Sequence, residues 1–82
     1  MLNSVADVKS ARAQVEEAQA EVERMAELEA NDSPEFDPES YYDQREYVTE
    51  AERDLYARVL MAIAAGAENA AELARVALGE QD

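Results

Sequence analysis

Apolar residues recur at helical spacing through most of this 82-residue chain. Val8, Val15 and Val22 stand seven apart, and Ala11, Ala18 and Met25 follow each of them by three. These are a and d positions of a heptad, and they predict one helix from about Ser4 to Ala30. Ser4 reads as its N-cap, with Asp7 three residues on in a capping-box-like start. Both prolines fall in the breaker segment 31–38. Asp37 before Pro38 reads as N-cap followed by N1, with Glu39 in the first turn, where an acid favours the helix dipole. A second helix is therefore predicted from Pro38 to about Ala65, ended by Gly66. Asn69 with Glu72 three residues later opens a short third helix to about Leu78, stopped by Gly79.

At 1.5 Å per residue the two long helices would each measure about 40 Å. Matched lengths joined by a short turn predict an antiparallel hairpin, in which facing residues have numbers of near-constant sum. Val5 with Ile63, Val8 with Leu60, Val15 with Leu55, Val22 with Val48, and Leu28 with Tyr41 or Tyr42 satisfy that rule. The third helix is expected to fold over the open end, against Leu2, Val5 and Ile63; the alternative is that it packs on another subunit. The expected fold is all-α, a single domain over residues 1–82: an antiparallel helical hairpin of two long helices with a short third C-terminal helix. Two or three heptads suit a hairpin and a dimeric bundle or coiled coil alike. Only Met25, Leu28, Phe36 and the tyrosines Tyr41 and Tyr42 close the hairpin tip, so a homodimer is expected, or ordering of that end by a partner.

Composition narrows the class. Gly and Pro occur twice each and Cys not at all, which excludes disulfides and thiolate metal sites. The N-terminal stretch lacks the basic and apolar regions of a signal peptide. The longest apolar run, Val59 to Ala67, is too short to span a membrane. The expectation is a cytoplasmic protein with no membrane partner.

Charge changes the picture most. Between Glu16 and Asp54 lie fifteen of the twenty carboxylates against three arginines, a net charge of −12 out of −13 for the whole chain. Folded back on itself, that stretch occupies roughly 25 Å of rod. The result is about one net charge per 2 Å, close to the one per roughly 1.7 Å of duplex DNA. Such a surface repels phosphate backbones and anionic membranes and attracts basic proteins. Acids four apart on a helix, such as Glu23 with Glu27 and Glu46 with Glu50, each cost a few tenths of a kcal/mol.

Catalytic chemistry finds little support. There is no His, which removes the commonest general base and the Glu-x-x-His pattern of di-metal bundles. No Gly-rich phosphate loop exists. Helical enzymes that hydrolyse nucleoside triphosphates hold magnesium through "EExxE" and a later "ExxD". Glu16-Glu17 begins that pattern, but Ala20 breaks it. No enzyme activity, cofactor or metal is expected.

Residues 60–78, "LMAIAAGAENAAELARVAL", are similar to the opening half of a helix-turn-helix DNA-binding domain. That resemblance implies a DNA-reading helix further on. Residues 79–82 are not expected to form one, and a charge of −13 opposes phosphate contact. Direct nucleic-acid binding is therefore not expected.

Two function classes remain. One is a non-catalytic acidic interaction module that binds a basic protein surface, including a nucleic-acid mimic or inhibitor that blocks a nucleic-acid-binding cleft. Small acidic proteins of viruses and mobile elements behave this way. Its contact residues are expected to be Glu21, Glu23, Glu27, Asp43, Glu46, Glu50 and Asp54, with Tyr47 as an aromatic anchor. The other class is a structural or assembly helix protein whose acidity only keeps it soluble. Tyr47 shares a helical stripe with Ala51, Arg58, Met61 and Ala65, which either meets a partner or lies under the third helix. The row Ala6, Ala13 and Ala20 is either helix propensity or a close-packing seam.

Overall fold

The computed structural model describes residues 4–79. Three helices make up its regular structure: α1 (Val5–Ala30), α2 (Pro38–Ala64) and α3 (Ala70–Ala77). Arg12 meets Tyr56 and Gln19 meets Glu52, so positions rise along α1 as they fall along α2. The long helices are antiparallel, and α3 packs on both. The result is a rod 51 × 23 × 13 Å.

The helix ends follow local chemistry. Ser4 Oγ accepts the Asp7 N–H at 3.1 Å, and Asp37 Oδ1 accepts the Glu39 N–H at 3.1 Å, with Pro38 just inside the helix. Asn69 holds the N-cap position of α3, but its side chain makes no capping bond. Its carbonyl instead accepts the Leu73 N–H.

The C-termini of α1 and α2 share one geometry. Ala67 N–H donates to Ala62 O and Gly66 N–H to Ile63 O, around Gly66 at φ +94°. Ser33 N–H donates to Leu28 O and Asp32 N–H to Glu29 O, around Asp32 at φ +50°. Both are Schellman motifs, in which a left-handed residue satisfies the last carbonyls. At the first of them an Asp stands where Gly is least strained.

The core lies at the open end. Val8, Val15, Leu55, Val59, Ala62, Leu73 and Ala77 form one buried cluster, with Val5 and Ile63 packed against it. Leu73 and Ala77 bring α3 into this cluster at the open end, as expected; Leu2 lies outside the described residues. Toward the tip, Ala18 is the last buried residue of α1. Val22, Met25, Leu28, Phe36, Tyr41 and Val48 are only half-buried.

Two pairings differ from the sequence reading. Val8 is fully buried while Leu60 is 64% exposed, and Val59 and Ala62 are the α2 residues that join the cluster of Val8 at this level. A residue turns about 100° around the axis from its neighbour. The constant-sum rule ignores that rotation, and Leu60 lies on the wrong side of it. Of the two alternatives paired with Leu28, Tyr42 is exposed and Tyr41 is half-buried. The stripe of Tyr47 and Met61 is also not covered by α3, because both side chains are exposed. Ala6, Ala13 and Ala20 face solvent.

Arg12 is a structural residue that heptad spacing did not reveal. Its side chain is only 17% exposed. It donates to Tyr56 Oη at 3.4 Å and its Nε lies 3.5 Å from Glu16 Oε1. A Cβ added to Gly79 would come within 3.3 Å of the guanidinium. Gly79, at φ +89°, thus lets the end of α3 close over Arg12 and ties all three helices together.

The location of the core sets the cost of truncation. Leu73→Ala is expected to remove about 2–5 kcal/mol, enough to leave so small a domain largely unfolded by circular dichroism. Met25→Ala at the half-buried tip should cost only about 1 kcal/mol, since less area returns to water. Asp32→Gly should raise the melting temperature by a few degrees, through about 0.5–1 kcal/mol of relieved left-handed strain. A melting temperature lowered by that change would contradict the strain assigned to the α1 cap.

Candidate protein-interaction surface

The carboxylates between Glu16 and Asp54 occupy the tip half of the rod, beyond the buried cluster. Polar ties replace apolar packing there. Gln19 Nε2 donates to the Glu52 carboxylate, and Gln44 Nε2 donates to the Ala18 carbonyl at 3.3 Å. At the tip itself, Phe36 and Tyr41 pack at 5.6 Å between ring centroids, as do Tyr41 and Tyr42. The Arg45 guanidinium lies 5.6 Å from the Tyr41 ring centre, a cation–π contact. Most acids are therefore left facing water on a loosely packed pair of helices.

The expected contact residues do not form one patch. Glu23, Glu27, Asp43, Glu46, Tyr47, Glu50 and Asp54 are exposed, and Glu21 is half-buried. Helical rotation puts Asp43, Glu46 and Glu50 on the outer stripe of α2, away from α1. It puts Glu23 and Glu27 on one flank of the hairpin and Glu21, Tyr47 and Asp54 on the other. Negative charge thus wraps the tip half on several sides.

One flank carries a shaped feature. An open groove of about 330 Å³ runs between α1 and α2. Ala11, Val15, Ala51 and Leu55 form its apolar floor, and Tyr47, Glu50 and Asp54 stand along its rim. Tyr47 is 50% exposed. An aromatic face beside two carboxylates over an apolar floor suits the stem and head of a Lys or Arg side chain. Arg58, which also lines the groove, lies 3.5 Å from Asp54, so this chain already places one cation there.

Ion pairing leaves most of the charge uncompensated. Among the described residues the ion pairs are Arg12 with Glu16, Arg24 with Glu21 and Arg58 with Asp54, all within one helix. Arg24 binds Glu21 through two hydrogen bonds, one of them 3.0 Å from Nε to Oε2. That hydrogen bonding, with the charge of Arg24 behind it, holds the Glu21 carboxyl below the usual carboxylate range and raises Arg24. Arg24 is exposed and Glu21 only half-buried, so screening keeps the stabilisation small. Among the described residues no group of three or more His, Cys, Asp or Glu side chains is arranged to hold a metal ion. No helix among them is long and apolar enough to cross a membrane.

No protein-family model matches the chain, and no curated protein or solved structure shows significant similarity to it. The reading of its surface rests on its own chemistry.

The sign of the Glu21 effect is testable. A carboxyl held low stabilises the fold above its unfolded-state pKa and loses that contribution as pH falls through the lowered value. Carboxyl-detected NMR titration should therefore show Glu21 protonating at lower pH than an ordinary glutamate. Arg24→Gln should move it back up. A Glu21 titration unchanged by that substitution contradicts the pairing.

Proposed function

We propose that this protein is a non-catalytic interaction module whose acidic tip half docks on a Lys/Arg-rich protein surface, in the manner of a nucleic-acid mimic. The observation that carries the reading is the placement of the charge. A net −12 sits on a half-rod in which only Glu21 and Asp54, of the eight expected contact residues, have an arginine partner among the described residues. A basic cleft would supply the missing counter-charges and could order the half-buried tip. Glu23, Glu27, Asp43, Glu46 and Glu50 supply field and on-rate. Tyr47, with the groove beside it, supplies a desolvated anchor.

A second reading, an assembly protein whose acidity is solubilising, is favoured by one specific observation. Leu60 and Met61, adjacent on α2, are 64% and 56% exposed. The two readings differ in their response to salt. Docking of the acidic half should weaken steeply between about 0.1 M and about 1 M salt, as the screening length falls from about 10 Å to about 3 Å. Glu46→Lys with Glu50→Lys should abolish it, and Tyr47→Ala should weaken it by about 2 kcal/mol. The measurement is a pull-down from the native host followed by titration calorimetry with the captured partner. Recovery of only neutral or acidic partners would sink the proposal.

A further inference from the structure

The groove on the Tyr47 flank carries a small charge pattern of its own. Three residues that line it are ionised: Glu50, Asp54 and Arg58. Together they leave one negative charge over the groove, and among the described residues Glu50 has no ion-pair partner. Arg58 meets Asp54 by a single 3.5 Å approach from Nε, with 52% and 67% of the two side chains exposed. Arg24 on Glu21, by contrast, makes two hydrogen bonds. The Arg58 contact is thus long for an ion pair and well screened. Tyr47 lines the same groove about three turns away. Among the described residues no ring or cation packs on it, although the chain uses such a pairing where Arg45 lies over Tyr41.

We infer that this groove is a pocket for one arginine side chain of the basic partner, and that Arg58 is its resident competitor. The inference rests on the reading of the acidic half as a docking surface and names what enters it. Size favours a single side chain, because about 330 Å³ lies at the small end of ligand pockets. The incoming stem lies on Ala51 and Leu55 of α2 and on Ala11 and Val15 of α1. Its guanidinium covers the Tyr47 ring and donates to the Glu50 and Asp54 carboxylates. Those two acids stand four apart on one helix, so a cation between them relieves their repulsion. One added positive charge also brings the groove to neutrality. Arg58 sets the threshold for entry. It holds Asp54 in the free chain and repels a second cation, so a guest arginine takes Asp54 by displacing it. Lysine suits the pocket less well. Its ammonium is strongly hydrated, does not lie flat on a ring and does not span two carboxylates. A basic surface therefore feels the field of the whole acidic half, but gains the anchor only where it aims an arginine into the groove.

Methyl NMR of the full chain at about 0.15 M salt tests the pocket. A capped Gly-Arg-Gly peptide should give saturable shifts of the Ala11, Val15, Ala51 and Leu55 methyls. The methyls of Val22 and Val48, which line a separate hollow beside Glu23 and Arg45, should stay in place. The lysine peptide should bind at least about threefold more weakly, and the neutral citrulline peptide should give no saturable shift. Tyr47→Ala should weaken arginine binding about fivefold or more, with the helical circular dichroism unchanged. Arg58→Gln should tighten it at least about threefold, whereas Lys9→Gln, which removes the same charge from the other side of α1, should tighten it less than about 1.5-fold. Unmoved floor methyls, equal binding of the arginine and lysine peptides, or an Arg58→Gln effect no larger than that of Lys9→Gln overturns the inference. Each of these leaves salt-dependent docking of the acidic half standing, because Glu23, Glu27, Asp43 and Glu46 lie outside the groove. A pull-down without basic partners, with the methyl shifts intact, would sink that docking alone.

Discussion

Mutual repulsion among the carboxylates of the tip half is the constraint around which the molecule is arranged. A helical pair carrying −12 between Glu16 and Asp54 has few apolar residues with which to hold itself together. The side chains that do the holding sit elsewhere. Val8, Val15, Leu55, Val59, Ala62, Leu73 and Ala77 pack at the open end. There α3 adds a third wall, and Arg12 closes against Tyr56 and Gly79. Without α3 the hairpin would have a two-sided apolar seam, which buries too little to offset the ordering of its residues.

This separation gives each half of the rod one task. The open end supplies most of the stability, and between Glu16 and Asp54 Ala18 is the one buried residue among those described. The tip half is held by polar ties from Gln19 and Gln44 and by the Phe36–Tyr41–Tyr42 cluster. Its surface can then be given over to charge at a density near that of a nucleic acid. The outer stripe of α2 records the division along one helix, acidic from Glu39 to Glu50 and apolar from Ala57 to Ala64.

The elements were legible in the sequence because their signals are local. Ser4, Asp37 and Gly66 mark boundaries by their own capping chemistry, and the heptad valines mark the inward face of α1. Residues whose place depends on rotation or on distant partners were not legible. Leu60 satisfies a hairpin sum and still points outward. Arg12 gives no sign in its own neighbourhood that Gly79, far along the chain, will cover it. The acidic segment is one block in the sequence, and it does occupy one end. Its residues nevertheless divide among an outer stripe and two flanks, a consequence of helical rotation that a charge count does not contain. The groove beside Tyr47 needed both long helices in place before its floor of Ala11 and Ala51 could be seen.

Amide hydrogen exchange as a function of salt tests this division of labour most directly, because it reads local opening along the whole chain. Amides near Val8, Val59 and Leu73 should exchange slowest and respond little to ionic strength. Those between Val22 and Val48 should exchange faster at low salt and slow as screening relieves their repulsion. Uniform protection along both long helices, or a tip half indifferent to salt, would contradict the account.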